Sequence, residues 1–149
     1  MRKDFAFTVK AIIIKGDRFL VLKRSKKEME KSVINRLGVW DLPGGSVKFN
    51  ETAEHGLFRE IREETGIARL RKTGDFRERF CCLTEKGKRK EIIYFLAEFE
   101  EERVIPQEDE LTDIWILPFE EALEQINTEE EREILRRADK LLKAGDGHE

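Results

Sequence analysis

The stretch from Gly45 to Ile67, GSVKFNETAEHGLFREIREETGI, leaves the chain little choice of local structure and sets what the rest must build around. Ala53, Leu57 and Ile61 recur every four residues, the spacing of a helix stripe packed on a core. Gly66 supplies the stop, because helices often end on a left-handed residue that costs glycine nothing. Glu60, Glu63 and Glu64, spaced i, i+3, i+4, project from one side of that helix. Like charges at this spacing destabilise a helix by about 0.2–0.5 kcal/mol per pair, so something positive is expected beside them. A hard divalent cation meets the requirement, since Mg²⁺ is held through a few carboxylates while substrate phosphates and waters complete its shell. Gly56, one turn before Glu60, is expected to leave the surface bare for a ligand, and Pro43-Gly44-Gly45 offers backbone able to approach a phosphate or metal closely. The competing reading is a solvated acidic face, which carries weight in a chain with 41% charged residues.

The fuller pattern separates the two readings. With each residue type at about 6–7% usage, the fixed set Gly45, Glu51, Arg59, Glu60, Glu63, Glu64 and Gly66 coincides by chance at about 10⁻⁸ to 10⁻⁹ per start site. The segment resembles, at every fixed position, the signature of the Nudix hydrolases, G-x5-E-x7-R-E-U-x-E-E-x-G-U, with Ile61 and Ile67 at the two bulky aliphatic positions. That family hydrolyses a nucleoside diphosphate linked to another group X. The resemblance implies that Glu60, Glu63 and Glu64 bind Mg²⁺ or Mn²⁺, with the Gly45 carbonyl as a further ligand. It implies that Glu51 and Arg59 steady the loop and helix through an ion pair, and that Glu64, or a neighbour such as Glu63, takes part in catalysis. Arg24, Gly44, Lys48 and Trp115 are the candidate substrate contacts. Lys48 and Asn50 stand where many relatives have Glu and Gly, which bears on substrate detail.

One hundred and forty-nine residues suit a single domain, 1–149, able to bury a core of its own. Net charge is -3 and no basic block appears, so nucleic acid is not the expected partner. The start, MRKDFAFTVK, lacks the apolar centre of a signal peptide, and no apolar run reaches bilayer-crossing length. A cytoplasmic protein with no membrane partner is expected. Cys81 and Cys82 are neighbours, poorly placed for a structural disulfide, and read as ordinary strand residues.

In chain order, Phe5 to Lys15 holds the run Ala11-Ile12-Ile13-Ile14, expected as a strand buried on both faces. Gly16-Asp17 reads as a two-residue hairpin turn and Arg18 to Arg24 as the returning strand. Ser25 to Leu37 is charged, without period, and reads as a loop that selects or covers substrate. Val39 to Leu42 is a short strand with Trp40 assigned to the core. Ala68 to Leu83 contains a strand reaching Phe80-Cys81-Cys82-Leu83; Glu85 to Lys88 is a turn, and Glu91 to Glu100 a central strand. Glu100 to Glu110 is an acidic loop broken by Pro106. In some Nudix hydrolases a comparable loop gives an extra metal ligand or the base. Ile114 to Leu117 is a last strand whose alternation sets Trp115 opposite Ile114 and Ile116, where it would stack on a base. Pro118 opens a short helix, Phe119 to Ile126. Thr128 and Glu131 form a capping box for a terminal helix with the stripe Ile134, Leu135, Ala138, Leu141 and Leu142. Gly145 to Glu149 reads as a frayed tail, and neither His148 nor His55 is placed to act.

Strands on either side of a central helix, with helices at the end, give an α/β chain with a mixed sheet between helical layers, the α/β/α sandwich that the resemblance also implies. The leading functional reading is a metal-dependent pyrophosphohydrolase acting on a small nucleotide. Tyr94-Phe95-Leu96-Ala97 and the terminal helix look like diadenosine tetraphosphate hydrolases, whereas Trp40-Asp41-Leu42-Pro43-Gly44-Gly45 looks like enzymes of nucleoside triphosphates or ADP-ribose. A nucleotide-sensing module that binds without cleaving is the alternative from another class, and a prenyl diphosphate isomerase on the same fold ranks below it. Relatives are commonly dimers, so a homodimer is the expected assembly.

Overall fold

The computed structural model describes residues 5–24, 40–83, 87, 89–105 and 111–146. Its strands are β1 (Phe5–Lys15), β2 (Arg18–Arg24), β3 (Trp40–Asp41), β4 (Gly44–Ser46), β5 (Arg71–Leu83), β6 (Arg89–Glu98) and β7 (Leu111–Pro118). Its helices are α1 (Ala53–Thr65), α2 (Phe119–Gln125) and α3 (Glu129–Asp146). The candidate lid, Ser25 to Leu37, the turn at Glu85 and Lys86, Pro106 to Glu110 and His148 lie outside the described residues.

Side-chain alternation along β1 sets the layers. Val9, Ala11 and Ile13 join Leu57 and Ile61 of α1 in one apolar cluster; Ile12 and Ile14 join Ala122 of α2 and Ile134, Leu135 and Ala138 of α3 in another. A strand covered on both faces must be apolar at successive positions, and Ala11, Ile12 and Ile13 are fully buried. The sheet is mixed, in the order β3-β2-β1-β6-β5 with β4 on β1 and β7 on β2. β1 and β6 run parallel over Phe5–Ile14, while β5 and β6 are antiparallel. The architecture is thus the α/β/α sandwich expected.

What positions the site is a fork. β1 and β2 pair only at Ile14↔Phe19 and Lys15↔Arg18, beside the Gly16 turn (φ 64°). Beyond that, β1 takes β4 at Thr8–Lys10 and β2 takes β3 at Leu22 and Lys23. The segment Trp40–Ser46 therefore fills the gap between the two strands, tied in the middle by Ala11 N–H donating to the Pro43 carbonyl (2.9 Å). Gly44 (φ 153°) lies so close to β1 that a Cβ there would run into the Val9 carbonyl oxygen and Lys10 Cα, which is why only glycine fits.

Three local expectations change. Gly56 is buried, and a Cβ on it would meet Val47 and Glu51, so its bareness serves packing of the loop before α1 and not ligand approach. Leu141 is exposed at the far end of the α3 stripe. Glu131 does not cap α3: its carboxylate turns inward to the Leu42 amide, Lys10 and Tyr94. A buried lysine needing a counter-charge outweighs a cap of about 1 kcal/mol.

Candidate active site

α1 is held at both ends. The Thr52 hydroxyl accepts the His55 N–H (3.1 Å) as N-cap, and Gly66 (φ 77°) returns its N–H to the Arg62 carbonyl (2.9 Å). Leu57 and Ile61 are fully buried on the sheet, which fixes the rotation of the helix and hence where its glutamates lie.

Those glutamates occupy three environments. Glu63 is exposed, Glu60 half-buried, and Glu64 buried, only 2% exposed, with its Oε1 accepting the Gly44 N–H (3.1 Å). A merely solvated acidic face would leave all three in water. The positive charge expected beside them is partly supplied by the chain itself. Arg59 Nη1 donates to Glu60 Oε1 (3.0 Å) and Glu63 Oε1 (3.3 Å), while Nε and Nη2 form a two-pronged pair with Glu51 (2.6 and 3.0 Å) and Nη2 also reaches the Ser46 carbonyl (3.0 Å). Glu51 Oε1 further accepts the Lys48 N–H (2.8 Å). The Arg59 hydrogen bond, then the Lys48 amide, hold the Glu51 carboxyl down at about 2, and Glu51 in turn raises the Arg59 guanidinium. The expected Glu51–Arg59 pair is therefore present and ties the β4–α1 loop to the helix.

Gly45 lies against Glu60, since a Cβ there would collide with the Glu60 carboxyl. Among the described residues no three acidic, histidine or cysteine side chains are gathered around one point, because Glu60 and Glu63 face Arg59 and Glu64 faces Gly44. The donor set nonetheless suits a hard cation. Glu60 and Glu63 already share a single guanidinium nitrogen, so their carboxylates reach a common positive centre, and all the donors are oxygens.

On the other face, Trp115 projects opposite Ile114 and Ile116, 40% exposed, and its ring lies 4.4 Å from that of Trp40 at a tilt of 43°. Its indole N–H donates to Asp113 (2.7 Å). Trp40 is half-buried, packing on the core with one side and on Trp115 with the other. Lys48 is exposed in the loop that leads from β4 to α1. Arg24 ends β2, and its side chain lies outside the described set. In the acidic loop, Glu101 is committed to capping the Ala68 and Arg69 amides (2.7 and 2.8 Å).

Sequence reasoning missed a second charged cluster. Lys10 Nζ donates to Asp41 (2.5 Å) and Glu131 (2.6 Å), and the Tyr94 hydroxyl donates to the same Glu131 oxygen (2.9 Å). Burial, then the Asp41 charge, push the Glu131 carboxyl up to about 7 against the pull of Lys10. The signal was legible: a lysine at position 10 interrupts a strand that is otherwise apolar on both faces, and a lysine so placed needs buried partners.

Comparison with known proteins accords with this geometry. The NUDIX domain family matches residues 4–138. The 8-oxo-dGTP diphosphatase of Buchnera aphidicola is 36% identical over 85 residues, 57% of this chain and 57% of that protein. The ADP-ribose pyrophosphatase of Bacillus subtilis is 29% identical over 132 residues, 84% of this chain and 64% of that protein, so neither relative is spanned beyond about two thirds of its length. Among solved structures, an Ap4A hydrolase of C. elegans superimposes with a TM-score of 0.77 at 22% identity, over 93% of this chain and 98% of that one. The MutT protein of Methanosarcina mazei does so with 0.69 at 27%, over 96% and 99%. With the family profile spanning nearly the whole described fold and both halves of the acidic helix, this chain belongs to the NUDIX family.

Proposed function

We propose that this protein hydrolyses a pyrophosphate linkage in a nucleoside diphosphate joined to a further group, using a divalent cation. The observation that carries the reading is the graded acidic face of α1, where Glu60 and Glu63 converge on one positive nitrogen and Glu64 is buried against the Gly44 amide. In this reading Glu60, Glu63 and Glu64 hold Mg²⁺ or Mn²⁺, with the Gly45 carbonyl as a further donor. The cation would neutralise diphosphate oxygens and acidify the attacking water. Glu64 takes the proton from that water. Arg59 stays locked to Glu51, so the helix and the β4–α1 loop keep their relative positions through turnover. Lys48 and Arg24 meet phosphate, whereas Gly44, expected to do so as well, is buried against β1 with its N–H given to Glu64.

Trp115, paired with Trp40, offers a face on which a nucleobase stacks. The named activities of the relatives divide between an oxidised deoxynucleoside triphosphate, ADP-ribose and a dinucleoside tetraphosphate, and all three present a base, a pentose and a phosphoanhydride linkage. A cytoplasmic setting and a homodimer complete the proposal; among the described residues no helix is long and apolar enough to cross a membrane. Release of phosphate or pyrophosphate from nucleoside triphosphates, ADP-ribose and dinucleoside polyphosphates, with and without Mg²⁺, tests it. Cation-dependent cleavage of at least one class supports hydrolysis, whereas saturable binding without cleavage of any identifies a sensing module.

A further inference from the structure

Outside the acidic face of α1, the most buried charged cluster among the described residues is that of Lys10, Asp41, Tyr94 and Glu131, between the sheet and α3. Ion clusters of this kind are often no more stable than apolar residues of similar volume, so stability does not account for it. From the terminal helix, Glu131 also reaches a backbone amide. Its Oε1 accepts the Leu42 N–H (3.2 Å), which Asp41 Oδ1 also accepts (2.7 Å). Leu42 opens the run Leu42-Pro43-Gly44-Gly45 that fills the fork. Two residues on, the Gly44 N–H is given to Glu64 on the opposite face (3.1 Å), and between them the Pro43 carbonyl is bonded to Ala11 N–H (2.9 Å). One short run of backbone is thus pinned from α3 by Glu131 and from α1 by Glu64. The Pro43 carbonyl and the Gly44 N–H belong to one planar peptide unit, and a single further peptide with the restricted φ of Pro43 separates that unit from the Leu42 amide, so displacement of Leu42 is passed on over a short and partly stiff path.

We propose that Glu131 is a positioning residue for the hydrolytic reaction: by holding the Leu42 amide from the terminal helix, it fixes Leu42–Gly45 and thereby the orientation of Glu64. This rests on the reading of Glu64 as part of the working site. Glu131→Gln puts an amide where Lys10, Tyr94 and Leu42 all donate, so whichever way the side chain is turned at least one of them loses its bond to residue 131, while Lys10 and Leu42 keep Asp41. Sub-ångström misplacement of reacting groups lowers turnover steeply, on the order of 10–100-fold. The expected result is a fall of that size in kcat with KM within about twofold, together with faster hydrogen exchange at the Gly44 amide. Ile134→Ala loosens the packing of the same helix and removes no hydrogen bond to Leu42. It is expected to lower the melting temperature while leaving kcat and Gly44 exchange nearly unchanged. If Glu131→Gln does not fold, Glu131→Asp, which keeps the charge and shortens the reach, carries the same expectation. Full kcat in the Glu131 variant, or an equal loss in Ile134→Ala, overturns the proposal. Glu64→Gln assayed alongside separates the two levels: an active Glu64→Gln removes the underlying reading, whereas an inactive Glu64→Gln beside a fully active Glu131→Gln removes only the positioning role.

Discussion

Two charged clusters grip the Trp40–Ser46 segment from opposite faces of the sheet, and they are built on opposite principles. On the α1 face, Glu51, Arg59, Glu60 and Glu63 are partly open to water, and one guanidinium serves three carboxylates at once. On the α3 face, Lys10, Asp41 and Glu131 are largely buried, and the Tyr94 hydroxyl also donates to Glu131. The first can exchange a partner without leaving a buried charge bare. The second does so less readily, since removing Lys10 takes a cation from two largely buried carboxylates. Under the proposed function the difference would separate chemistry from alignment: the more open carboxylates lie on the α1 face, and the more buried cluster contacts the Leu42 amide from the α3 face.

Changes that respect or violate this division should separate activity from stability. The largest effect is expected from Glu64→Gln, which can still accept the Gly44 N–H and so should stay folded, yet lose about 10²–10⁴ in kcat; steady-state assay together with thermal unfolding checks both halves. Next, Lys10→Met removes the ammonium that Asp41 and Glu131 share. Urea unfolding should register a loss of about 3–5 kcal/mol, whereas a comparable loss from Glu63→Gln would break the contrast. Trp115→Ala removes the exposed half of the tryptophan pair. If a base stacks there, KM should rise by an amount corresponding to about 1–3 kcal/mol with kcat little changed.

The smallest effect is in pH dependence, where the two clusters should slope in opposite directions. Glu51 is held down at about 2, below its ordinary 4.5, so its contribution is complete above about pH 4.5 and fades as pH falls toward 2. Glu131 is pushed up to about 7 from 4.5, so the folded state holds its proton more tightly and stability declines as pH rises from about 4.5 through 7. Unfolding free energies of wild type against Glu51→Gln and Glu131→Gln across pH 3 to 8 measure each slope. Parallel slopes would erase the distinction.

Much of this was legible in the residues. The period of Ala53, Leu57 and Ile61 with Gly66 at its end defined α1, because the helix is bounded by local chemistry at both termini. The Nudix signature implied the pairing of Glu51 with Arg59, and the structure shows it. Trp115 followed from strict alternation in β7. What escaped was non-local. Thr128 and Glu131 have the spacing of a capping box, and nothing within four residues reveals that Lys10, over a hundred positions away in sequence, outbids the helix end for the carboxylate. Gly56 looked like a clearing for ligand because a missing side chain reads the same whether it admits a substrate or Val47. Trp40 was assigned to the core and is only half there, since its other side meets a tryptophan on a strand remote in sequence.

The central claim is that the acidic face of α1 exchanges its internal guanidinium for a divalent cation. A titration of Mn²⁺ followed by the paramagnetic signal of the free ion tests it without any assumption about substrate, comparing wild type with a variant carrying Glu60→Gln, Glu63→Gln and Glu64→Gln together. Saturable loss of free Mn²⁺ signal in the wild type and none in the triple variant is the result expected; equal uptake by both proteins would contradict the account.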